Sequence, residues 1–433
     1  MINLENATVN QREAIQTTEG PLLIIAGPGT GKTYTLVQRT IYLIAEKRVK
    51  PENIMIATFT EKAAKEIITR ITNELEKIDM YVNINEMYIG TFHSICLRIL
   101  KENIEYTNLK KNYRMIDEFE QEYLIYQNLS KFEKIEDFNL LFQHQISGWR
   151  LSQYIADYVN NVNEELVDIN QLINDDNPEI VAIGKIIQLY NDMILKLNYI
   201  DFTHIQTETY ELLTNNFNVL KKINEKIKYV MIDEYQDTNY VQEQLSFMLA
   251  GKEQNICVVG DDDQGLYRFR GATIRNIIEF PEKFKNHKCK KIKLETNFRS
   301  EKGIIDFNNK WMKTTDGEKF GFKWDKYRFN KEMTPGRKDI SNKPTVMKIG
   351  AKNNEEEWQK EILKFITKLK EEKIINNYNQ IAMLFNSVRG DKVVELANYL
   401  EKNGINVYSP RSNMFFEREE IKELIGTLLL IFP

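Results

Sequence analysis

Cysteine is scarce in this chain of 433 residues: Cys96, Cys257 and Cys289 stand far apart, with no CxxC pair and no histidine at metal-ligand spacing. That pattern argues against a disulfide framework and a structural zinc site, and it fits a reducing compartment. Long apolar runs are lacking too. None approaches the roughly 18 residues that would raise a membrane helix, and Met1 to Gln16 is polar where a secretory signal would be apolar. The expectation is a cytoplasmic protein without a membrane segment. Charge of one sign is also missing: 59 Lys and Arg stand against 63 Asp and Glu, a net −4. There is no global pull toward polyanions, so a nucleic-acid surface would have to be a local groove with stacking groups. No long repeat or low-complexity tail is present, and the length suggests roughly two to four domains.

What the chain does carry is a glycine-rich loop. Ala26-Gly-Pro-Gly-Thr-Gly-Lys-Thr33 follows the apolar run Pro21-Leu-Leu-Ile-Ile25 and opens a helix-like segment from Tyr34. Strand, glycine-rich loop and helix together form a phosphate cradle. Backbone N–H groups point inward at a polyphosphate, and the helix N-terminus adds a favourable dipole. In that reading Gly27, Gly29, Thr30 and Gly31 shape the loop, Lys32 reaches the terminal phosphates and the Thr33 hydroxyl holds magnesium. Ala26 takes the first motif position in place of glycine, at the strand-proximal end. A bare glycine-rich turn is the alternative, and the strand–helix context speaks against it.

Around the loop, short apolar strands alternate with amphipathic helices. Ile54-Met-Ile-Ala57 and Met87-Tyr-Ile-Gly90 read as buried strands; between them Ala64, Ile67, Ile68, Ile71 and Leu75 share one helical face. This alternation predicts a parallel sheet with helices on both faces. From about 106 to 198 the strand patterns disappear and a polar, helix-like segment takes over. They return at Tyr229-Val-Met-Ile232, Ile256-Cys-Val-Val259 and Lys291-Ile-Lys-Leu294. Residues 308–343 carry ten Lys/Arg against five Asp/Glu, with Trp311, Phe320, Phe322, Trp324, Tyr327 and Phe329 among them. Basic and aromatic residues together suit nucleic-acid contact; a solvated loop whose aromatics pack on the neighbouring domain is the simpler reading. Beyond it, Val346-Met-Lys-Ile349 and Ile381-Ala-Met-Leu-Phe385 read as strands, and helical patterns near 355–370, 392–402 and 417–431 make a second α/β unit.

Val230-Met-Ile-Asp233-Glu234 is an apolar strand ending in two carboxylates. Beside a phosphate cradle, Asp233 would bind magnesium, directly or through water, and Glu234 would take a proton from the water that attacks the γ-phosphate. A surface acidic pair is the alternative. The run continues as Asp233-Glu-Tyr-Gln-Asp-Thr-Asn239. It is followed by Val258-Val-Gly-Asp-Asp-Asp-Gln-Gly-Leu-Tyr-Arg-Phe-Arg-Gly-Ala272 and Leu294-Glu-Thr-Asn-Phe-Arg-Ser300. Further pieces are Gln11, Thr58-Phe-Thr-Glu-Lys-Ala-Ala64, Gly90-Thr-Phe-His-Ser94, Asp201-Phe202 and Phe415-Phe-Glu-Arg-Glu-Glu-Ile-Lys422. With the cradle, this ordered set resembles the superfamily 1A DNA helicases of the UvrD/Rep/PcrA type over most of the chain.

The resemblance implies an α/β fold of two RecA-like parallel-sheet P-loop NTPase domains, the second incomplete, with a helical insertion in the first. The first domain is expected over 1–105 and 199–285, the insertion over 106–198, and the N-terminal half of the second domain over 286–433. ATP and Mg2+ are the implied cofactors; single-stranded DNA, or a junction of single strand and duplex, is the implied partner. Gln11 matches the glutamine that reads the adenine edge. Lys32, Thr33, Asp233 and Glu234 match the hydrolytic core, and Gln264 the γ-phosphate sensor that couples to the DNA side. Arg299 matches an arginine finger, which stabilises transition-state charge only when a cleft closes. Phe298, where Tyr is frequent, and Tyr34, where Arg is frequent, match the groups on either side of the adenine.

On the DNA side the resemblance makes Phe59, Tyr267 and Phe269 base stackers, and brings Thr58, Thr91, His93 and Arg270 to backbone or bases. Phe269 stands where Trp is common. Glu61 stands where Asn is common, and a carboxylate is unhelpful near phosphate. In the family, a large insertion and two further motifs follow the helix that here ends in Leu428-Leu-Leu-Ile-Phe-Pro433. Neither motif is found, so the chain reads as the N-terminal part of a longer protein. It is expected to bind nucleotide and, weakly, single-stranded DNA, with feeble ATPase and no unwinding. The implied activity is ATP-driven 3′-to-5′ translocation. Rival readings are the motor part of a helicase–nuclease or antiviral defence complex, and a nucleotide-switched DNA-binding module without directional movement.

Overall fold

The computed structural model describes residues 3–142, 146–265, 274–284, 288–314, 328–338, 345–350, 355–388, 390–409 and 419–431. It divides into two compact units, Met1–Lys343 and Pro344–Pro433.

The first unit is built on six strands: β1 (Leu22–Ala26), β2 (Ile54–Thr58), β3 (Tyr88–Thr91), β6 (Tyr229–Ile232), β7 (Ile256–Gly260) and β8 (Lys290–Leu294). Two further strands, β4 (Arg114–Met115) and β5 (Tyr199–Ile200), pair with each other. The large sheet has the order β3-β2-β6-β7-β1-β8, and every pairing in it is parallel. β1, β2 and β7 are buried along their whole length. Burial on both faces is why they read as unbroken apolar runs rather than as alternation. Successive side chains still point to opposite faces. Leu23, Ile25, Met55 and Ala57 join one core layer with Phe92 and Ile95. Leu22, Ile24, Ile54 and Ile56 join the other with Leu36, Ile41, Ile67 and Ile71.

The helix after β2 spans Glu61–Glu76. The Thr60 hydroxyl caps it, accepting from the Ala63 N–H at 3.1 Å; of the five apolar residues on its expected face, Ile68 is the one left half-buried. The predicted insertion is helical, with Glu118–Gln127, Gly148–Glu164 and Pro178–Leu197 as its main helices. It has its own core around Ile125, Phe132, Ile155, Val159, Ile186 and Tyr190. Strand is not wholly absent between 106 and 198, because β4 lies there; a two-residue ladder is too short to leave a periodic signal.

β8 belongs to the first sheet, beside β1, so that sheet continues past the boundary drawn at 285. From β8 the chain runs directly into β9 (Thr296–Asn297), which pairs with β10 (Thr334–Pro335).

In the second unit the helices are Glu355–Glu371, Asp391–Lys402 and Glu419–Ile431, and Ile366, Leu396, Leu400 and Ile405 form a small core. The strands expected at 346–349 and 381–385 are corrected here: those residues are irregular, and Leu384 is 94% exposed. An apolar run becomes a strand only when a neighbour takes up its backbone groups, and among the described residues of this unit none does. No helix among the described residues is long and apolar enough to cross a membrane. Cys96, Cys257 and Cys289 are free, buried thiols, and burial pushes the Cys96 thiol up to about 12.

Candidate functional site

Parallel pairing puts the C-terminal ends of all six strands along one edge, the place where open α/β sheets bind ligands. The glycine-rich loop leaves β1 there. Asp233 and Glu234 follow β6, Gln264 follows β7, and Thr58 and Thr91 close β2 and β3.

The loop has the geometry its glycines require. Gly29 and Gly31 adopt the left-handed region, with φ of 75° and 82°. Neither has room for a side chain: a Cβ on Gly29 would lie 2.7 Å from Arg299 Cβ and from Asn297 Oδ1. The Thr30 hydroxyl donates to the Gly27 carbonyl at 2.7 Å. The helix Lys32–Ala45 then begins, with Thr33 and Tyr34 in its first turn. Tyr34 is half-buried, and burial, with Glu74 nearby, raises its phenol above the usual range.

Gln11 is buried against this loop. Its Nε2 donates to the Thr30 carbonyl at 3.0 Å, while its Oε1 accepts from the Thr8 N–H at 2.9 Å. The amide thus ties the helix Val9–Gln16 to the cradle. The other end of that helix is held by Arg39, whose buried guanidinium donates to the carbonyls of Ala14 at 2.7 Å, Thr17, and Thr18 at 3.3 Å.

Lys32 and the two carboxylates lie together at this edge. Lys32 Nζ lies 2.6 Å from Glu234 Oε2. Asp233 is almost wholly buried, and its Oδ1 accepts from the Glu234 N–H at 3.0 Å. Burial, reinforced by the Glu234 charge, pushes the Asp233 carboxyl up to about 6 despite Lys32. A divalent cation would offset that penalty. Magnesium takes one or two protein oxygens and completes its shell with phosphates and water, so Asp233 and Thr33 suit it. Among the described residues no group of three or more His, Cys, Asp or Glu could hold a metal alone.

Gln264 is placed at the same edge, 2.6 Å from Asp261 Oδ2, to which it donates. Asp261, Asp262 and Asp263 form a cluster that two basic residues neutralise. Lys331 Nζ contacts Asp261 and Asp262 and lies 3.1 Å from Asp263 Oδ2. Arg328 binds Asp263 through two bonds of 3.1 and 3.0 Å. Burial opposes the charge on Lys331, yet the three carboxylates hold its ammonium above the usual range. A cavity of about 500 Å³ adjoins this cluster, between Gly27 and Pro28 of the loop, Gln264, Asn297 and Ser300.

Asn297 joins the two sides of that cavity. Its Nδ2 donates to the Pro28 carbonyl at 2.7 Å, and its Oδ1 accepts the N–H groups of Arg299 and Ser300 at 2.9 and 2.8 Å. The Phe298 N–H donates to the Gly29 carbonyl at 2.8 Å. Phe298 and Arg299 therefore sit beside the phosphate loop with their side chains exposed.

The nucleic-acid candidates are only partly gathered. Thr58 is buried at the end of β2, its hydroxyl donating to the Thr60 carbonyl at 3.1 Å. Phe59, next in sequence, is half-buried. The Thr91 hydroxyl caps the helix Phe92–Glu102 and donates to Glu61 Oε1 at 3.0 Å. His93 is 2.9 Å from Gln206 Nε2, edge-on to Phe202, and burial lowers its imidazole below the usual range. Tyr267, Phe269 and Arg270 lie outside the described residues, as does the first half of Phe415–Lys422. In the basic, aromatic stretch, Arg328 and Lys331 are paired inside the protein, Lys313 pairs with Glu332, and Phe329 packs on the core. For those residues packing is the role seen; Phe320, Phe322, Trp324 and Tyr327 lie outside the described residues.

Four residues the motif reading passed over hold this site together: Arg39, Gln236, Asn297 and Lys331. Gln236 and Asn297 stand inside quoted motifs, but nothing in their identity assigns them a bridge. The three aspartates announce a need for cations, while the cations come from about 70 residues downstream.

Comparison with known proteins fits this geometry. The UvrD/REP helicase N-terminal domain matches residues 7–285, and the UvrD-like helicase C-terminal domain matches 292–432. The second match corrects the expectation that the C-terminal helicase motifs are missing from this chain: the C-terminal domain is represented within it. Similar proteins include the ATP-dependent DNA helicase PcrA of Staphylococcus epidermidis, 31% identical over 99% of this chain and 54% of the relative. PcrA of Bacillus subtilis is 31% identical over 97% of the chain and 52% of the relative. The ATP-dependent DNA helicase Rep of Buchnera aphidicola subsp. Acyrthosiphon pisum is 32% identical over 98% of the chain and 60% of the relative. The chain thus spans about half the length of the curated relatives it matches.

Proposed function

The chain belongs to the UvrD/REP helicase family, and from that premise we propose that it is an ATP-hydrolysing motor that moves along single-stranded DNA. The observation that carries this reading is the convergence of Lys32, Glu234 and Asp233 beside the glycine-rich loop, with Lys32 Nζ 2.6 Å from Glu234 Oε2.

In this reading the backbone N–H groups of the loop receive the phosphates, and Lys32 leaves Glu234 for the terminal phosphate. Glu234 then orients the attacking water and accepts its proton. Magnesium, held by Thr33 and Asp233 together with the triphosphate, would neutralise charge on the phosphate oxygens. Gln264, which lines the cavity, and Arg299, beside the phosphate loop, respond to the γ-phosphate; Gln11, Tyr34 and Phe298 frame the base. Thr58, Phe59, Thr91 and His93 contact the strand, with Tyr267, Phe269 and Arg270. Closure of two RecA-like domains on ATP, and reopening after hydrolysis, moves the strand stepwise in the 3′-to-5′ direction.

The test is phosphate release from Mg-ATP with and without oligo(dT), combined with displacement of a strand from 3′-tailed and 5′-tailed duplexes. Stimulation by oligo(dT), loss of turnover in Glu234→Gln with nucleotide binding retained, and preference for the 3′ tail are expected. DNA affinity that changes with ATP while no strand is displaced from either substrate would replace the motor with a nucleotide-switched binding module.

A further inference from the structure

Gln236 is a buried amide that touches both halves of the candidate hydrolytic machinery. It is 2% exposed. Its Nε2 donates to Glu234 Oε2 at 2.8 Å, the same oxygen that Lys32 approaches. Its Oε1 accepts the Asp261 backbone N–H at 2.9 Å. Asp261 in turn receives Gln264 Nε2 on its carboxylate at 2.6 Å. A continuous chain of hydrogen bonds therefore runs from Lys32 through Glu234, Gln236 and Asp261 to Gln264.

The fold makes room for this bridge. Gly260, the last residue of β7, leaves the space that Oε1 occupies: a Cβ there would fall 2.7 Å from it and 2.6 Å from Ile277 Cδ1. Glu234 also needs the tether, because it sits in the left-handed region at φ 51°, unusual for a side chain of its size. Asp261 is buried, so an amide lost here leaves its N–H unpaired, while Glu234, partly open to solvent, loses the donor that fixes its direction.

We propose that Gln236 is a positioning residue: it fixes the Glu234 carboxylate for water activation and links it mechanically to the loop carrying Gln264. This rests on the reading of Glu234 as the proton acceptor. Once Lys32 turns to a phosphate, Gln236 is the donor that remains on Glu234 Oε2. A shift of Gln264, drawn by nucleotide or DNA, is passed through Asp261 and the amide to the base.

The test uses the full chain and compares wild type, Gln236→Met, Gln236→Glu, Glu234→Gln and the double variant Gln236→Met/Glu234→Gln. Methionine keeps the length of the side chain and loses the hydrogen bonds to Glu234, to Asp237 Oδ2 at 3.3 Å and from the Asp261 N–H; glutamate keeps the acceptor toward Asp261 and loses the donor toward Glu234 and Asp237. For Gln236→Met the expected result is a kcat roughly 10- to 100-fold lower, with KM for ATP and affinity for a fluorescent ATP analogue unchanged. The ratio of DNA-stimulated to basal turnover should fall toward one. Because the residue acts through Glu234, Gln236→Met should add less than twofold to the loss already caused by Glu234→Gln. If Gln236→Met does not fold, as circular dichroism would show, Gln236→Glu decides by the same kcat and ratio.

Losses that multiply in the double variant, a KM that rises with kcat unchanged, or an unaltered stimulation ratio would each overturn the proposal while leaving the hydrolytic reading intact. A wild-type chain without ATPase, or full turnover in Glu234→Gln, would instead remove the reading on which it stands.

Discussion

Lys32 Nζ and Glu234 Oε2 lie 2.6 Å apart, joined across the end of β7, which separates the two strands that deliver them. Each charge neutralises the other in a partly buried setting. A triphosphate would compete with Glu234 for the lysine, so its arrival frees the carboxylate at the moment a proton acceptor is needed. Lys32→Met is expected to lower ATP affinity by about two orders of magnitude, in keeping with the loss of a charge-assisted contact. Titration with a fluorescent ATP analogue checks this; affinity within threefold of wild type would take Lys32 out of the phosphate-binding role.

The Thr91 hydroxyl donates its hydrogen bond to Glu61, so a DNA phosphate must displace that carboxylate to receive it. The carboxylate adds repulsion. Glu61→Gln is expected to tighten oligo(dT) binding about two- to tenfold and to flatten its salt dependence only slightly, because no new cation is introduced. Fluorescence anisotropy at several salt concentrations measures both; unchanged or weaker binding would place the strand elsewhere.

Removing Lys331 leaves the buried Asp261 and Asp262 without their cation, while Arg328 stays on the half-buried Asp263. Breaking a buried charge network by deleting one partner typically costs about 3–5 kcal/mol. Lys331→Met should therefore lower the urea midpoint of the first unit markedly. A shift of less than about 0.5 kcal/mol would mean that the carboxylates find other partners.

Glu164 ends the helix Gly148–Glu164, where burial pushes its carboxyl up to about 7 even though the Asn239 amide favours the charged form. A raised carboxyl pKa means that the folded state holds a proton the unfolded chain has already released. The associated stability is fully present below the ordinary carboxyl range and is lost as pH rises through about 7. Glu164→Gln should accordingly raise the melting temperature at pH 8, with a difference that shrinks toward pH 5. Thermal melts across that range check it; a difference that grows toward acid would reverse the assignment.

Much of this was legible in the sequence, and the parts that were share a physical cause. The phosphate loop, the carboxylate-tipped β6 and the helix Glu61–Glu76 are encoded by contiguous residues, in which pattern and geometry coincide. β8 was readable as a strand, but its place beside β1 follows from pairing across more than 260 residues. The bridges of Gln236 and Asn297, and the capture of three aspartates by Lys331, depend on loops that meet only after folding. Val346–Ile349 and Ile381–Phe385 have the composition of strands, yet composition supplies no hydrogen-bonding neighbour.

The three cysteines of the chain are all free and buried, with Cys257 in β7, Cys96 in the helix Phe92–Glu102 and Cys289 just ahead of β8. An alkylating reagent at neutral pH therefore finds no thiolate until the layers separate. Its rate of incorporation, followed by intact mass, becomes a label-free clock for how often the phosphate-binding half of the molecule comes apart, and how far a bound nucleotide slows it.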